Sequence, residues 1–270
     1  MRYLVLYAYA IGLSITLNNT STNAEPIAPE GTRGPWEVVR KDKGITVLRR
    51  TVAGSQLREF QGTGLIEAPV ASVMAVLNDS EHRREWMAES KEQRTLQQLD
   101  LTTVILYNRL GAPWPVADRD CVMRATTIFD TAQKMVRIEI TATTHPDAPE
   151  VKGVVRMPSM VAHWHLSPVD GGKSTKAEYQ VHANPGGSLP NWMANLSSKK
   201  IPYDTITALA RQVKRRQYPA YQLKLESLPE YQALMAASAT AAPAKPVAVE
   251  PAKDVPKAAE PAEADPPPVT

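Results

Sequence analysis

Apolar and polar residues alternate over long stretches of the chain, which predicts a strand-rich fold. Between Lys134 and Ala142, the apolar residues Val136, Ile138 and Ile140 alternate with charged or hydroxyl side chains. A period of two is typical of a strand with one buried face. Comparable runs of β-branched and aromatic residues predict further strands at 45–50, 57–66, 102–110, 119–129, 161–166 and 174–183.

A helical period appears in fewer places. Apolar residues recur every three or four positions over 70–77, directly after Pro69, which is well placed to open a helix. The longest predicted helix spans 189–216, and Pro202 inside it should kink the helix or split it in two. Two shorter helices are predicted at 36–40 and 81–89.

The order of these elements indicates the fold class. Two strands and two helices are followed by about six antiparallel strands and one long helix. This order lacks the strict alternation of strands and helices that builds a parallel sheet. We therefore expect an α+β fold, with a curved antiparallel sheet and the C-terminal helix lying across it.

Residues 1–24 have the pattern of a secretory signal peptide. One positive charge precedes an apolar run of about 15 residues, Tyr3 to Leu17, and a polar stretch ends at the small residue Ala24. A retained membrane anchor is the alternative, although the run is shorter than the roughly 20 residues that span a bilayer. We expect an exported protein, periplasmic if its host has two membranes, with residues 25–35 as a linker.

The C-terminal end differs from the rest in composition. Residues 237–270 contain eight prolines and no aromatic residue. Such a segment buries too little apolar surface to offset the entropy lost on ordering. The sequence therefore predicts a folded domain over 36–218. Over 219–270 it predicts the end of the last helix and a disordered tail rich in Pro and Ala, acting as a spacer, a tether or a solubilising extension.

Composition and charge exclude several classes of function. The 270 residues include 31 Lys and Arg against 28 Asp and Glu, a balance too even for a protein that mainly binds nucleic acid. Cys121 is the sole cysteine, which excludes an internal disulfide and a cysteine-cluster metal site. His163 and His165 supply half a metal site at most, and no nucleotide-binding or hydrolase motif occurs. We expect no cofactor, no metal and no catalytic residue.

Four motifs, in this order, resemble those of the START family of lipid-transfer domains. They are PWPVADRD at 113–120, VKGVVR at 151–156, HWHLSP at 163–168 and NPGGSLPNW at 184–192. The resemblance extends over residues 36–216 and implies a helix-grip fold, in which a curved antiparallel sheet wraps around a long C-terminal helix. It also implies an internal hydrophobic cavity that binds a sterol, phospholipid or similar molecule. Asn184 and Cys121 stand where many members have Asp and Phe, which changes the cavity wall slightly.

Strand alternation within that implied fold predicts the cavity wall. In 119–129 one face holds the charged residues, so the face with Cys121, Met123 and Ala125 is expected to point inward. The register of 102–110 follows the family motif. The inward set is rich in small or flexible residues and the chain has only two Phe, which favours a cavity over the alternative of a filled core. The predicted ligand-binding residues are Val104, Leu106, Asn108, Cys121, Met123, Ala125, Phe129, Val136, Ile138, Met160, Ala162, Trp164, Tyr179, Val181, Trp192, Met193 and Leu196.

Three polar features near the expected cavity carry separate predictions. Asn108 would place a polar group inside the cavity, where a ligand, a water molecule or neighbouring backbone would satisfy it. Arg119 and Asp120 are expected to bond the backbone of the adjacent turn. By resemblance, the loop 143–153 corresponds to a mobile loop over the cavity mouth, and an ordinary surface loop is the alternative.

Together these observations predict a lipid-binding and lipid-transfer protein that exchanges its ligand at membranes without covalent chemistry. It is expected to be a monomer that contacts membrane surfaces transiently and has no nucleic acid partner. Two alternatives stay open. One is an enzyme on the helix-grip scaffold, resembling a cyclase or hydrolase, and the other is an interaction module that acts through the proline-rich tail.

Overall fold

The structure is a computed structural model and describes residues 32–87, 89–112, 114–189, 194–195 and 199–239. The predicted signal peptide, most of the predicted linker and the proline-rich segment from residue 240 onward lie outside the described residues. The fold is therefore described from Thr32 to Ala239.

Strands dominate the described part of the chain. The strands are β1 (Glu37–Asp42), β2 (Ile45–Arg50), β3 (Glu59–Ile66), β4 (Ser90–Gln98), β5 (Thr103–Leu110), β6 (Asp118–Asp130), β7 (Met135–Thr143), β8 (Val154–Arg156), β9 (Ser159–Val169) and β10 (Ser174–Asn184). The helices are α1 (Val70–Asn78), α2 (Ile201–Arg215), α3 (Pro219–Glu226) and α4 (Pro229–Ala239), and short 3-10 turns occur at Arg83–Glu85 and Asp170–Gly172.

The strands of the described region form one curved sheet. Its order is β1-β2-β3-β10-β9-β7-β6-β5-β4, and each of these neighbouring pairs is antiparallel. The short strand β8 lies outside this path and pairs parallel with the start of β6. Together with the helices that follow β10, this sheet confirms the predicted α+β class and the helix-grip architecture.

Helix α2 packs closely against one half of the inner face of the sheet, over β2, β3 and β10. Two glycines in β3 make room for it. A Cβ atom at Gly62 would lie 2.7 Å from the Cβ atom of Pro202, and one at Gly64 would lie 3.0 Å from Cγ2 of Ile206. The helix therefore covers this half of the sheet, whereas part of the inner face from β9 to β5 is left open and lines a cavity.

Helices α3 and α4 extend the folded domain beyond the predicted boundary at residue 218. Leu225, Tyr231 and Leu234 are buried in the same apolar cluster as α1 and α2. The ring of Tyr231 also meets that of Phe129 edge-on, with 6.3 Å between centroids. The expectation that only a helix end and a tail follow residue 218 is therefore wrong. The prolines at 219 and 229 each occupy the first position of a helix, where no backbone N–H is required.

Both edge strands of the sheet differ from what the sequence predicts. The short helix expected at 36–40 is wrong, because Glu37–Asp42 form β1 and pair with β2. Strand β4 was not predicted at all, since most of its residues are polar and exposed. An edge strand pairs on one side only and is often polar, so apolar alternation gives a weak signal there.

Two predictions about helices also need correction. Only a 3-10 turn at Arg83–Glu85 occupies the region where a helix was expected at 81–89. Of the two outcomes expected at Pro202, a kink within a helix over 189–216 is wrong. The chain forms a turn at 199–200, and α2 begins at Ile201 with the proline in its first turn. Among the described residues, no helix is long and apolar enough to cross a membrane.

Candidate functional site

A cavity of about 1290 Å³ lies between the inner face of the sheet and helices α1, α2 and α3. Strands β5, β6, β7, β9 and β10 supply most of one wall, through apolar side chains such as those of Leu106, Met123 and Ile138. Helix α1 adds Met74 and Leu77 on another side. The dimensions and the lining are those of a site for a large apolar molecule.

Most of the predicted site residues that the structure describes are brought together in this cavity. On β6 the alternation places Met123 and Ala125 inward and leaves Arg124 exposed. The predicted residues that line the cavity are Val104, Leu106, Asn108, Met123, Ala125, Phe129, Ile138, Met160, Trp164, Tyr179 and Val181. Their contact with a ligand stays a prediction.

Three predicted residues are buried but do not line the cavity. Cys121 packs with Met123 and Met157, and the two methionines, unlike the cysteine, line the cavity. Ala162 is too short to reach past its neighbours and packs with Phe60. Val136 belongs to the apolar core of the domain. The remaining predicted residues, Trp192, Met193 and Leu196, lie outside the described residues.

A pair of aromatic rings forms part of the wall. Trp164 and Tyr179 stack with 4.5 Å between ring centroids and an interplanar angle of 24°. Burial raises the pKa of Tyr179 to about 12, so its hydroxyl stays protonated at neutral pH. Nearby on β5, Asn108 lines the cavity and accepts a long hydrogen bond of 3.4 Å from Ser90 Oγ. The hydroxyl of Ser90 thus satisfies part of the hydrogen-bonding capacity of the Asn108 side chain.

Several cavity residues were missed by sequence reasoning. Trp86 and Met87 follow the 3-10 turn and line the cavity, as do Tyr221, Leu225 and Leu228 in and after α3. The last three are spaced four and three residues apart, a helical period that was available in the sequence. They were missed because the domain was expected to end at residue 218.

The buried Arg83 is a further lining residue that the sequence did not indicate. Its side chain is only 7% exposed, although it lines an apolar cavity. Nη2 donates to the carbonyl oxygen of Leu77 at 2.5 Å, and the guanidinium lies 4.7 Å from the centroid of the Trp86 ring. Its Nε is buried without a hydrogen-bond partner. Burial lowers the pKa of Arg83 to about 10, so it remains charged at neutral pH.

The carboxylate that acts electrostatically on this arginine is already engaged by other groups. Asp79 interacts electrostatically with Arg83. However, the Asp79 carboxylate accepts hydrogen bonds from the backbone N–H of His82 at 3.2 Å and from the Tyr218 hydroxyl at 2.7 Å. No hydrogen bond or ion pair between the two side chains is present. The guanidinium is therefore only partly compensated by the protein.

A second buried arginine, Arg119, lines the cavity at the start of β6. Its Nη1 donates to the carbonyl oxygen of Ala117, which agrees with the predicted bond to the turn backbone. Its Nε, like that of Arg83, is buried without a partner. Burial lowers the pKa of Arg119. Of the three arginines that line the cavity, Arg83 and Arg119 are therefore buried with spare hydrogen-bond donors, whereas Arg211 is exposed.

Asp120 and the loop 143–153 act differently from the predictions. Asp120 accepts from Arg156 Nε at 2.7 Å and from the Tyr107 hydroxyl at 3.1 Å, rather than from the turn backbone. Arg156 also donates to the carbonyl oxygen of Ala148 at 3.1 Å, and Ala148 packs with Tyr107 on the outer face of the sheet. No residue of the loop lines the cavity. The expectation of a loop over the cavity mouth is wrong, because these contacts hold it on the opposite face.

The cavity extends to both ends of β5. At one end it is lined by Ala112 and Val116 of the β5–β6 turn, together with Leu189 and Ile201, and Trp114 lies in the same turn. We call this the Trp114 end. The other end is lined by Asp100, Leu101 and Thr102 of the β4–β5 turn, with Lys224 and Leu228. We call this the Leu101 end.

Comparison with known proteins places this chain in a family. The model of the START domain matches residues 22–217, which is most of the chain. The chain belongs to the START domain family. Among sequence relatives, an uncharacterized protein of Pseudomonas aeruginosa is 31% identical over 181 residues, which are 67% of this chain and 88% of the relative. Human phosphatidylcholine transfer protein is 26% identical over 179 residues, covering 65% of this chain and 82% of that protein.

Solved structures agree with this assignment. A STAR-related lipid transfer protein from Xanthomonas axonopodis matches with a TM-score of 0.61 and 34% sequence identity, over 67% of this chain and 99% of that chain. Human STARD10 matches with a TM-score of 0.59 over 77% of this chain and 83% of that chain, and its 22% identity supports the fold alone.

Proposed function

We propose that this START domain binds one lipid molecule and transfers it between membranes. The observation that carries the proposal is the cavity of about 1290 Å³ with its largely apolar wall. Enclosing about 500 Å² of lipid surface would contribute roughly 12 kcal/mol before the costs of association. Those costs leave room for micromolar or tighter binding. The names of two similar proteins, a phosphatidylcholine transfer protein and a STAR-related lipid transfer protein, support the same function.

We further propose that the lipid carries an anionic group, as a phospholipid does. Arg83 holds a charge inside the cavity with its Nε unsatisfied, and burying a charge without a partner is costly. A phosphate or carboxylate oxygen would provide the missing acceptor and a charge-assisted hydrogen bond. A sterol hydroxyl offers no negative charge. Arg83 therefore favours a phospholipid-like ligand over a sterol.

The proposed mechanism consists of burial and release, with no covalent step. The lipid leaves a donor bilayer, its chains lie along the inner face of the sheet, and it is released into an acceptor bilayer. Residues 1–24 have the pattern of a signal peptide, which supports placing this exchange outside the cytoplasm, in the periplasm if the host has two membranes.

A cavity-filling substitution tests the proposal. Met123→Trp puts a bulky ring into the space that the lipid would occupy, since Met123 lines the cavity from β6. Arg124→Trp is the matched control, because the adjacent residue points out of the same strand and is exposed. Uptake of a fluorescent phospholipid from vesicles is measured for both variants. We expect uptake to fall at least tenfold in the first variant and to remain near wild type in the second.

Folding is checked separately, by thermal melting of both variants and by native mass spectrometry of the purified wild-type protein. A lipid that copurifies with the wild type and is absent from a folded Met123→Trp variant supports the proposal. A folded Met123→Trp variant that takes up as much lipid as the wild type contradicts it.

A further inference from the structure

We infer that Arg119 and Asn108 form a second binding subsite, at the Trp114 end of the cavity, for an anionic group at the far end of the ligand. This inference rests on the proposed function, because it concerns the same lipid in the same cavity. It goes beyond that function by naming a narrower class of ligand. The lipid would carry one anionic group in its headgroup, at Arg83, and a carboxylate at the end of an acyl chain, at Arg119.

The first argument is the unsatisfied charge of Arg119. This residue is only 8% exposed and lines the cavity. A guanidinium has five N–H donors, yet the hydrogen bond that Arg119 makes within the described chain is the one from Nη1 to the carbonyl oxygen of Ala117. Its Nε is buried without a partner. A buried charge with unused donors is unfavourable unless an acceptor meets it, and the cavity is where Arg119 can meet one.

The turn 184–188 covers Arg119 from the other side. Gly187 has a φ of +69°, in the left-handed region that favours glycine. A Cβ atom at this position would lie 3.8 Å from Nη2 of Arg119, so the backbone of the turn packs beside the guanidinium. The turn thereby separates the guanidinium from bulk water without bringing an acidic side chain to it. An acceptor therefore approaches Arg119 from the cavity.

The carboxylates near Arg119 do not neutralise it. In the part of the chain that the structure describes, none of them forms an ion pair with Arg119. The adjacent Asp118 acts on it electrostatically, but its carboxylate accepts a hydrogen bond from Lys91 Nζ at 2.8 Å. Glu89 and Asp204 also line the cavity, but both are exposed, so the solvent screens their charge. The positive charge of Arg119 is therefore available to a ligand.

Asn108 supplies further donors beside Arg119. Leu110 of β5 pairs with Arg119 of β6, and Asn108 lies two positions along β5 on the same face. Asn108 and Arg119 are therefore diagonal neighbours on the cavity wall. The side-chain oxygen of Asn108 accepts from Ser90 Oγ, whereas its NH₂ group has no hydrogen-bond partner among the described residues. A guanidinium next to an amide NH₂ is suited to a carboxylate, which has two acceptor oxygens.

The register of the sheet separates this subsite from Arg83. Arg83 acts electrostatically on Tyr179, and the paired residues across the sheet lead from Tyr179 to Thr127 on β6. The backbone N–H of Thr127 bonds the carbonyl oxygen of Thr102, at the Leu101 end, at 2.8 Å. Arg119 lies eight positions from Thr127 along β6, a distance of about 26 Å in an extended strand. A single phosphate does not bridge two arginines placed at such different levels of the sheet.

The wall between these two levels is apolar. Leu106 of β5 and Met123 and Ala125 of β6 line the cavity there. An acyl chain is suited to this stretch, and an ordinary chain would leave its methyl end beside Arg119. A chain that ends in a carboxylate would instead place an acceptor there and form a charge-assisted hydrogen bond with the guanidinium. The arrangement therefore favours a lipid with an anionic group at each end.

Two phosphatidylcholines that differ only at the end of one acyl chain test the inference. In one lipid the chain ends in a methyl group, and in the other it ends in a carboxylate. Wild-type protein is incubated with vesicles that contain both, and the bound lipids are extracted and quantified by mass spectrometry relative to their share of the vesicles. We expect the wild type to favour the carboxylate-ended lipid about tenfold or more, because hydrogen bonds to charged groups are the stronger ones.

Three variants assign the preference to its residues. Arg119→Met removes the guanidinium and should lower the preference about tenfold or more, and Asn108→Leu removes the amide and should lower it about threefold. The readout is the ratio of the two lipids, so a general loss of binding does not imitate the effect. Arg124→Met is the matched control, because Arg124 lies on the same strand but is exposed, and it should keep the wild-type ratio. Thermal melting without lipid checks that each variant folds.

Each other result has a defined meaning. Equal binding of the two lipids by the wild type overturns the inference and leaves the proposed function standing. A full preference that persists in a folded Arg119→Met variant also overturns the inference. Should Arg119→Met not fold, a reduced preference in Asn108→Leu supports the inference, and an unchanged one overturns it. Wild-type protein that takes up neither lipid contradicts the proposed function, and the inference with it.

Discussion

At the residue scale, Arg83 is the cavity side chain that bears most directly on which ligand the cavity binds. A guanidinium has five N–H donors, and the protein satisfies few of those of Arg83. The sequence around it, His82-Arg83-Arg84-Glu85, suggests a solvent-exposed helix face. Its burial depends on how the turn after α1 packs against residues far along the chain such as Tyr179, which no local pattern encodes. Strand alternation, by contrast, correctly placed Met123 and Ala125, because the period of two is a local property.

Arg83→Met tests the role of this residue in ligand selection. The affinity for a phospholipid should fall about tenfold to a hundredfold, since a hydrogen bond to a charged group contributes about 1.5–3 kcal/mol. The affinity for an uncharged diacylglycerol should not fall, because that lipid offers no anionic acceptor. Competition between the two lipids for the cavity measures both effects.

Arg84→Met is the control for that experiment, because Arg84 is exposed and does not line the cavity. It should bind both lipids like the wild type. An equal loss of both lipids in Arg83→Met would mean that Arg83 only supports the structure, through its bond to Leu77.

At the element scale, α3 and α4 are the helices that the sequence analysis left outside the folded domain, which it ended at residue 218. Their burial is limited to a few positions, among them Leu225, Tyr231 and Leu234, so the helical period of their apolar residues is short and easily overlooked. The nearby proline-rich composition reinforced the impression of irregular chain. Only the packing of Tyr231 against Phe129 and of Leu234 into the core reveals that these helices belong to the domain.

Leu234→Ala measures how much α4 contributes to the fold. Leu234 is fully buried, and removing a buried leucine typically lowers the free energy of unfolding by about 2–5 kcal/mol. Leu223→Ala, in α3, should change it by less than about 0.5 kcal/mol because that side chain is exposed. Guanidinium denaturation compares the two variants with the wild type. A Leu234→Ala variant as stable as Leu223→Ala would mean that α4 is not part of the cooperative fold.

At the scale of the whole molecule, ion pairs bind distant segments of the sheet together. Hydrogen bonds from Lys91 and Arg109 lower the pKa of Asp118 to about 2. A hydrogen bond between His165 and Glu178 lowers the pKa of the Glu178 carboxyl. A carboxyl whose pKa is lower in the folded state stabilises that state above its unfolded pKa of about 4. This contribution is lost as the pH falls through the folded value.

The melting temperature should therefore fall most steeply between about pH 4 and pH 2. A smaller decline is expected to begin below about pH 6.5, because burial lowers the pKa of His163 in the folded state. Asp118→Asn should melt below the wild type at pH 7, since Lys91 and Arg109 lose their partner. Its melting temperature should then fall less steeply in acid. Scanning calorimetry across this pH range makes the comparison, and parallel acid slopes for the two proteins would contradict the assignment.

The motifs in the sequence predicted the topology of the sheet and helix better than the positions of the loops that pack on the sheet. Four short motifs in order were sufficient for the curved sheet and the helix across it. They carried no information on where the loop 143–153 lies, because its position depends on contacts of Arg156 with Asp120 and Ala148. Contacts between residues far apart in the chain decide such positions, and alternation or composition does not reveal them.

The extent of the cavity along β5 has a consequence for the size of its guest. Eight residues in an extended conformation measure about 26 Å, whereas the hydrocarbon layer of a single leaflet is about 15 Å thick, half of a typical bilayer core. A fully stretched acyl chain with its headgroup therefore fits lengthwise, without having to fold back on itself. We expect this domain to discriminate weakly between lipids of different acyl-chain length and strongly between lipids of different headgroup.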